Sequence, residues 1–170
     1  MFKEPKLTDL QCAEICKGMD LTLFNARAHN GNKLTMKLDR TIIDTIYSFE
    51  ESDPYTQIVN KLSGDVLILG LGFGYSILFA CASDKVKSVK VIELHQEVIE
   101  VFKAIHGDKF KGSEKLTIIN QDAIEYTSKG FDHVFIDCIH DVKNKTKYVD
   151  FMEQLKEKYI DSKIHYINLL

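Results

Sequence analysis

Gly70-Leu71-Gly72-Phe73-Gly74 follows the apolar run DVLIL and leads into a second apolar stretch. Glycines at this spacing allow a tight turn and let a ligand approach the backbone, and a helix beginning behind them would present unpaired N–H groups. Glu93 lies 23 positions after Gly70, where a carboxylate can accept both hydroxyl protons of a ribose. Two further acids, Asp122 and Asp137, each close an apolar run, and His140 lies three residues beyond Asp137. A carboxylate at Asp137 can bind a cation electrostatically or act as base toward an amine or hydroxyl, and a histidine can serve as base near neutral pH. A dinucleotide-binding fold accounts for the glycines and Glu93. It has no standing need for the two later acids, and its usual third glycine would fall at Tyr75.

These residues need strands to end where they stand. Beyond Gly64 the chain alternates regularly: apolar runs at 65–72, 88–94, 116–121, 132–138 and 163–170 read as strands. Helical patterns fill 75–83, 96–106 and 145–159, with a short helical turn at 123–128. In the last long helix Tyr148, Phe151, Met152, Leu155 and Tyr159 share a stripe. A β-α-β series with short connections implies a parallel sheet with right-handed crossovers and helices on both faces. Ligands then sit outside the carboxyl ends of the strands, which is where the glycines and acids fall.

Ahead of this lie a short amphipathic helix at 7–19, with Leu7, Leu10, Ile15 and Met19 near one face and Thr8 or Asp9 as N-cap, and a hairpin around Asn30-Gly31. A helix from Asp53-Pro54 to Lys61 follows. The expected organisation is an N-terminal extension over 1–60 and a ligand-binding domain over 61–170, forming one compact unit.

Composition narrows the class. The chain has 170 residues, 45% hydrophobic and 28% charged, with a net charge of −3, which is globular and nearly neutral. Nothing in that balance points to nucleic acid or an anionic membrane as main partner, and only Arg27 and Arg40 among 22 basic residues are arginine. No apolar run approaches the roughly 20 residues of a membrane span, and the N-terminus lacks a signal-peptide core, so the expectation is a soluble cytoplasmic protein. Cys12, Cys16, Cys81 and Cys138 form no CxxC pair and read as free thiols, with no metal expected.

The stretch from Val66 to Asp141 resembles the core of the class I S-adenosylmethionine-dependent transferases: VLILGLGFGYS their glycine loop, VIELHQEVIEVFK their ribose-binding strand and helix, INQDAIEY their adenine-contacting turn, and YTSKGFDHVFIDCIHD their fourth strand and catalytic edge. ELHQEVIEVFK is similar to the E-[IL]-D-x-x-V-[IV]-x-x-[AS]-[KR] pattern of the spermidine-synthase-like branch, and the segment 37–59 to that branch's N-terminal hairpin and D-E-x-x-Y-H-E segment. The resemblance implies a Rossmann-like fold with S-adenosylmethionine as donor. It puts Gly70, Gly72 and Gly74 beside the methionine moiety, Glu93 on the ribose hydroxyls, Asp122 and the Ala123 backbone on the adenine amino group, and Asp137 near the methionine ammonium and the acceptor. Asp137 and His140 are then the catalytic candidates, with Tyr55 and Tyr75 on the acceptor side.

The chain departs from aminopropyltransferases, which have G-G-G-D-G-G where it reads GLGFGY and D-[SA]-x-D where it reads Asp137-Cys138-Ile139-His140-Asp141; Gln57 stands near the place of their Y-H-E glutamate. Polyamine transfer needs several carboxylates, so these departures favour methyl transfer to a small molecule. An aminopropyltransferase is the alternative, and a non-catalytic nucleoside-binding protein a further one. A nucleic-acid methyltransferase fits less well, despite lysines at 143, 145 and 147, because the fourth strand reads IDCI without the Asn/Asp-Pro-Pro-Tyr/Phe tetrapeptide. Full class I transferases continue past the fifth strand, so a shortened form is expected, with the fifth-strand edge covered by N-terminal residues or by a second subunit in a homo-oligomer.

Overall fold

A computed structural model describes residues 6–28, 31–38, 41–45, 54–107, 110–138 and 145–166. Helix α1 (Asp9–Ile15) starts at a capping box, in which the Thr8 side chain accepts the Gln11 N–H and the Gln11 side chain accepts the Thr8 N–H. Leu7, Ile15 and Met19 pack on the core as expected, but Leu10 is 80% exposed and Cys12 is buried. Two residues span about 200° of helix, so a short helix that turns Cys12 inward must turn Leu10 outward.

Strands β1 (Leu21–Ala28), β2 (Gly31–Leu38) and β3 (Thr41–Thr45) form an antiparallel sheet in that order. Ala28 pairs with Gly31, so the glycine expected in the turn opens β2 instead. The expected hairpin thus supplies two strands of a three-stranded sheet, to which β3 adds by pairing Thr41 with Leu38 and Asp44 with Met36. Helix α2 (Pro54–Val59) is shorter than expected, closing with tight bonds from the Lys61 N–H to the Ile58 carbonyl and from the Leu62 N–H to the Val59 carbonyl.

The second sheet is parallel: β4 (Gly64–Leu69), β5 (Val86–Glu93), β6 (Leu116–Asn120), β7 (His133–Ile136) and β8 (Lys163–Tyr166), in the order β6-β5-β4-β7-β8. That is the doubly wound order, third-second-first-fourth-fifth, and the fold is α/β and Rossmann-like. Val66, Leu67, Ile68 and Leu69 are fully buried, as a central strand covered on both faces requires. Val66 and Ile68 join the apolar cluster under α3 (Tyr75–Ala82) and α4 (Gln96–His106), which continues into Cys12, Leu21, Leu23, Leu34 and Met36. Leu67 and Leu69 face the cluster under α5 (Lys145–Lys158), whose Tyr148, Phe151, Met152 and Leu155, with Tyr159, form the expected stripe.

One crossover differs from its neighbours. Between β6 and β7 the expected helical turn is a single turn, with the Glu125 and Tyr126 N–H groups on the Asp122 carbonyl, and irregular chain runs on to β7. Among the described residues α5 is thus the only helix on that face.

Candidate functional site

The strand order reverses between β4 and β7, and Gly70 and Asp137 follow these two strands side by side. The Asp137 N–H bonds the Leu69 carbonyl at 2.8 Å, and the Gly70 N–H bonds the Ile92 carbonyl at 2.8 Å. Gly70 has φ +101°, and a Cβ there would stand 2.8–2.9 Å from the Asp137 carbonyl and the Cys138 nitrogen. Gly74 caps α3 at φ +79°, where a Cβ would strike the Phe102 ring at 2.2 Å. Gly72 has φ +50°. At Gly70 and Gly74 the motif is therefore set by backbone approach and helix packing, and it turns the chain sharply across the strand ends.

Glu93, the last residue of β5, is 7% exposed. Its Oε2 accepts the Leu71 N–H at 2.9 Å and its Oε1 the His95 N–H at 2.8 Å, so one carboxylate ties the glycine turn to the exit of β5. A carboxylate offers about four acceptor sites, which leaves room for two hydroxyl donors.

After β6, Asp122 Oδ1 accepts the Ile124 N–H at 2.7 Å, closing a turn on itself. Asn120 Nδ2 bonds the carbonyls of Glu93 and Leu94 at 2.9 and 2.8 Å, which locks the ends of β5 and β6 together. Lys158 Nζ donates to the carbonyls of Ala123 and Ile124.

Asp137 Oδ2 accepts the Ser76 hydroxyl at 3.0 Å, which sets the carboxyl beside the first turn of α3, where the helix dipole favours negative charge. The adjacent Cys138 thiol is pushed up to about 12, chiefly by burial and then by the charges of Asp137, Glu93 and Asp122. Glu93 closes β5, Asp122 follows β6 and Asp137 follows β7, so the three acids lie at the carboxyl ends of strands of one sheet.

Tyr75 is buried, with its ring edge-on to His106 at 6.1 Å between centroids. His106 approaches the Phe73 carbonyl at 2.8 Å and tilts against Phe102 at 4.9 Å, so Tyr75 belongs to the α3–α4 packing. Tyr55 lies in α2, and His140 lies outside the described residues. Sequence reasoning missed Ser76, Cys138 and Lys158. The adjacency of Cys138 to Asp137 was the one available signal; the other two depend on partners distant in sequence.

Among the described residues no group of three or more His, Cys, Asp or Glu side chains could hold a metal ion, and no helix is long and apolar enough to cross a membrane. No family model matches the chain, and no curated protein does. Solved structures similar to it include the methyltransferase domains of bacterial CtHen1-CN and CtHen1-C, each at 13% identity with TM-score 0.48, covering 61% and 62% of this chain. A dimethyladenosine transferase from Plasmodium falciparum is 20% identical with TM-score 0.44, covering 59% of this chain and 35% of its own. This chain spans 56% of each CtHen1 domain chain.

Proposed function

We propose that this protein is an S-adenosylmethionine-dependent methyltransferase acting on a small molecule. The observation that carries the reading is the placement of three acids at the carboxyl ends of strands of one sheet: Glu93 closes β5 and is bonded to Leu71 of the glycine turn, Asp122 follows β6, and Asp137 follows β7, around the point where the strand order reverses. The order of these acids agrees with the resemblance of residues 66–141 to the class I transferases.

The residues fit the nucleoside. Glu93 is already oriented by two backbone N–H groups and retains acceptor capacity for the two ribose hydroxyls. Asp122 and the Ala123 backbone serve the adenine, and Asp137 faces the cationic end of the methionine. When bound, the donor supplies an activated methyl group on a sulfonium, so what is asked of the protein is in-line positioning of the acceptor. Asp137, oriented by Ser76, is the group in place to take an acceptor proton where one must be lost, with His140, three residues on in the sequence, as a second base.

Calorimetric titration with S-adenosylmethionine and S-adenosylhomocysteine tests the reading. Saturable binding of both is expected, and no heat with either would overturn it. A clear preference for decarboxylated S-adenosylmethionine would replace methyl transfer with aminopropyl transfer.

A further inference from the structure

The turn holding Asp122 and Ala123 has no helix of its own to rest on, since the chain from there to β7 is irregular. It is gripped from α5. Lys158 Nζ donates to the Ile124 carbonyl and, at 3.4 Å, to the Ala123 carbonyl, while the Tyr159 hydroxyl donates to the Tyr126 carbonyl at 3.3 Å. Tyr159 is 2% exposed and Tyr126 is 7% exposed, and both lie in the apolar cluster that anchors α5 to the sheet. Two consecutive residues thus fix three of the four carbonyls from Ala123 to Tyr126, while the Asp122 side chain and carbonyl fix the turn from within.

Lys158 is an unusual choice for the task. Burial lowers its pKa from the ordinary 10.5, and the nearby Asp122 carboxylate opposes that shift. A chain placing an ammonium in such a setting gains several donors at one point, and the carbonyls it engages are those next to the acid that would read the base.

Resting on the proposed function, we infer that Lys158, supported by Tyr159, is a positioning residue that holds the Asp122–Ala123 turn in the conformation that recognises the 6-amino group of adenine. Base selectivity then depends on a helix some 35 residues away in sequence that carries none of the cofactor motifs.

The test compares S-adenosylhomocysteine with S-inosylhomocysteine, in which a 6-oxo group replaces the amine, on the wild type and on Lys158→Met, Lys158→Arg and Tyr159→Phe. The wild type should prefer the adenosyl ligand about tenfold, the worth of a well-made hydrogen bond. Lys158→Met should bring that ratio down to about twofold, and Lys158→Arg should restore most of it. General destabilisation would weaken both ligands together and leave the ratio unchanged. If Lys158→Met does not fold, Tyr159→Phe, which removes only one hydroxyl, should still lower the ratio. A wild-type ratio retained in every folded variant would overturn the inference, as would a wild type that binds both ligands equally, which leaves nucleoside binding intact. A wild type that binds neither overturns the proposed function itself, and the inference with it.

Discussion

The Ser76 hydroxyl donates to the Asp137 carboxyl at 3.0 Å, linking the first turn of α3 to the residue that follows β7. Ser76 is 3% exposed and Asp137 half-buried, so the bond is partly shielded from water. Removing the donor in Ser76→Ala should cost about 1 kcal/mol of stability, the usual net worth of such a bond. It should also weaken S-adenosylmethionine binding several-fold more than Ser83→Ala, a substitution at the far end of α3. Thermal unfolding and calorimetry read the two effects, and equal affinities for the two variants would remove Ser76 from the site.

Glu93 separates binding from folding. Glu93→Ala strips the acceptor from the Leu71 and His95 N–H groups, and an unsatisfied buried donor costs about 1–3 kcal/mol. Glu93→Gln keeps one oxygen and the side-chain volume, so it should lose less stability than the alanine variant. Both should bind nucleoside at least about tenfold more weakly, the loss of roughly one charge-assisted hydrogen bond. Undiminished affinity in a folded Glu93→Gln protein would place the ribose elsewhere.

Gly70 is held by backbone rather than by a movable side chain. In Gly70→Ala the new methyl meets the Asp137 carbonyl and the Cys138 nitrogen at 2.8–2.9 Å, and φ is +101°. Gly18→Ala is the comparison, with φ +82° and nothing within 4 Å of the new methyl. Strain alone should cost Gly18→Ala about 1–2 kcal/mol, and Gly70→Ala should lose clearly more in denaturant unfolding. Equal losses would mean that β4 and β7 do not approach so closely.

Acid should destabilise the fold through its histidines. His133 and His165 stack with ring planes 4° apart, Nδ1 of the first 2.8 Å from Nε2 of the second, and Ser63 Oγ lies 3.2 Å from His133 Nε2. Burial lowers both from their ordinary 6.5; Lys163 reinforces the shift at both, Lys61 and His133 reinforce it at His165, and Asp132 opposes it at His133. Burial also lowers His106. A depressed histidine prefers the neutral form in the folded chain, so its contribution is complete above about pH 6.5 and is lost as pH falls through the folded value. The Tm should hold steady from pH 8 to 7 and drop below about pH 6.5. His165→Gln should flatten that acid limb, and a limb as steep as the wild type's would exonerate the pair.

The centre of the parallel sheet could be read from the sequence because the VLIL of β4 and the VFI of β7 are unbroken apolar runs followed by Gly70 and Asp137, and the burial of Val66 through Leu69 on both faces is the physical cause of the first. The helix stripe from Tyr148 to Tyr159 was readable for the same reason. Leu10 misled because a seven-residue helix can bury either of two apolar faces, and the sheet beneath it decides in favour of Cys12. β3 went unseparated because TIIDT is short and joined to β2 by only two residues. Ser76 and Lys158 stayed hidden since each acts on a partner more than 30 positions away, Asp137 and Ile124, and no local pattern encodes such a contact.

The central place of β4 has a consequence for how the chain is made. Its register runs Val66 against His133 on one side, and the face holding Leu67 and Leu69 is covered by α5, whose Leu155 is fully buried. At translation rates of about 5–20 residues per second, β4 waits on the order of 3–13 s for β7 and longer for that helix. Throughout that interval the nascent chain carries an apolar strand with one ladder unpaired and one face uncovered, so the steps most exposed to aggregation and most in need of chaperones belong to the middle of synthesis, before α5 exists.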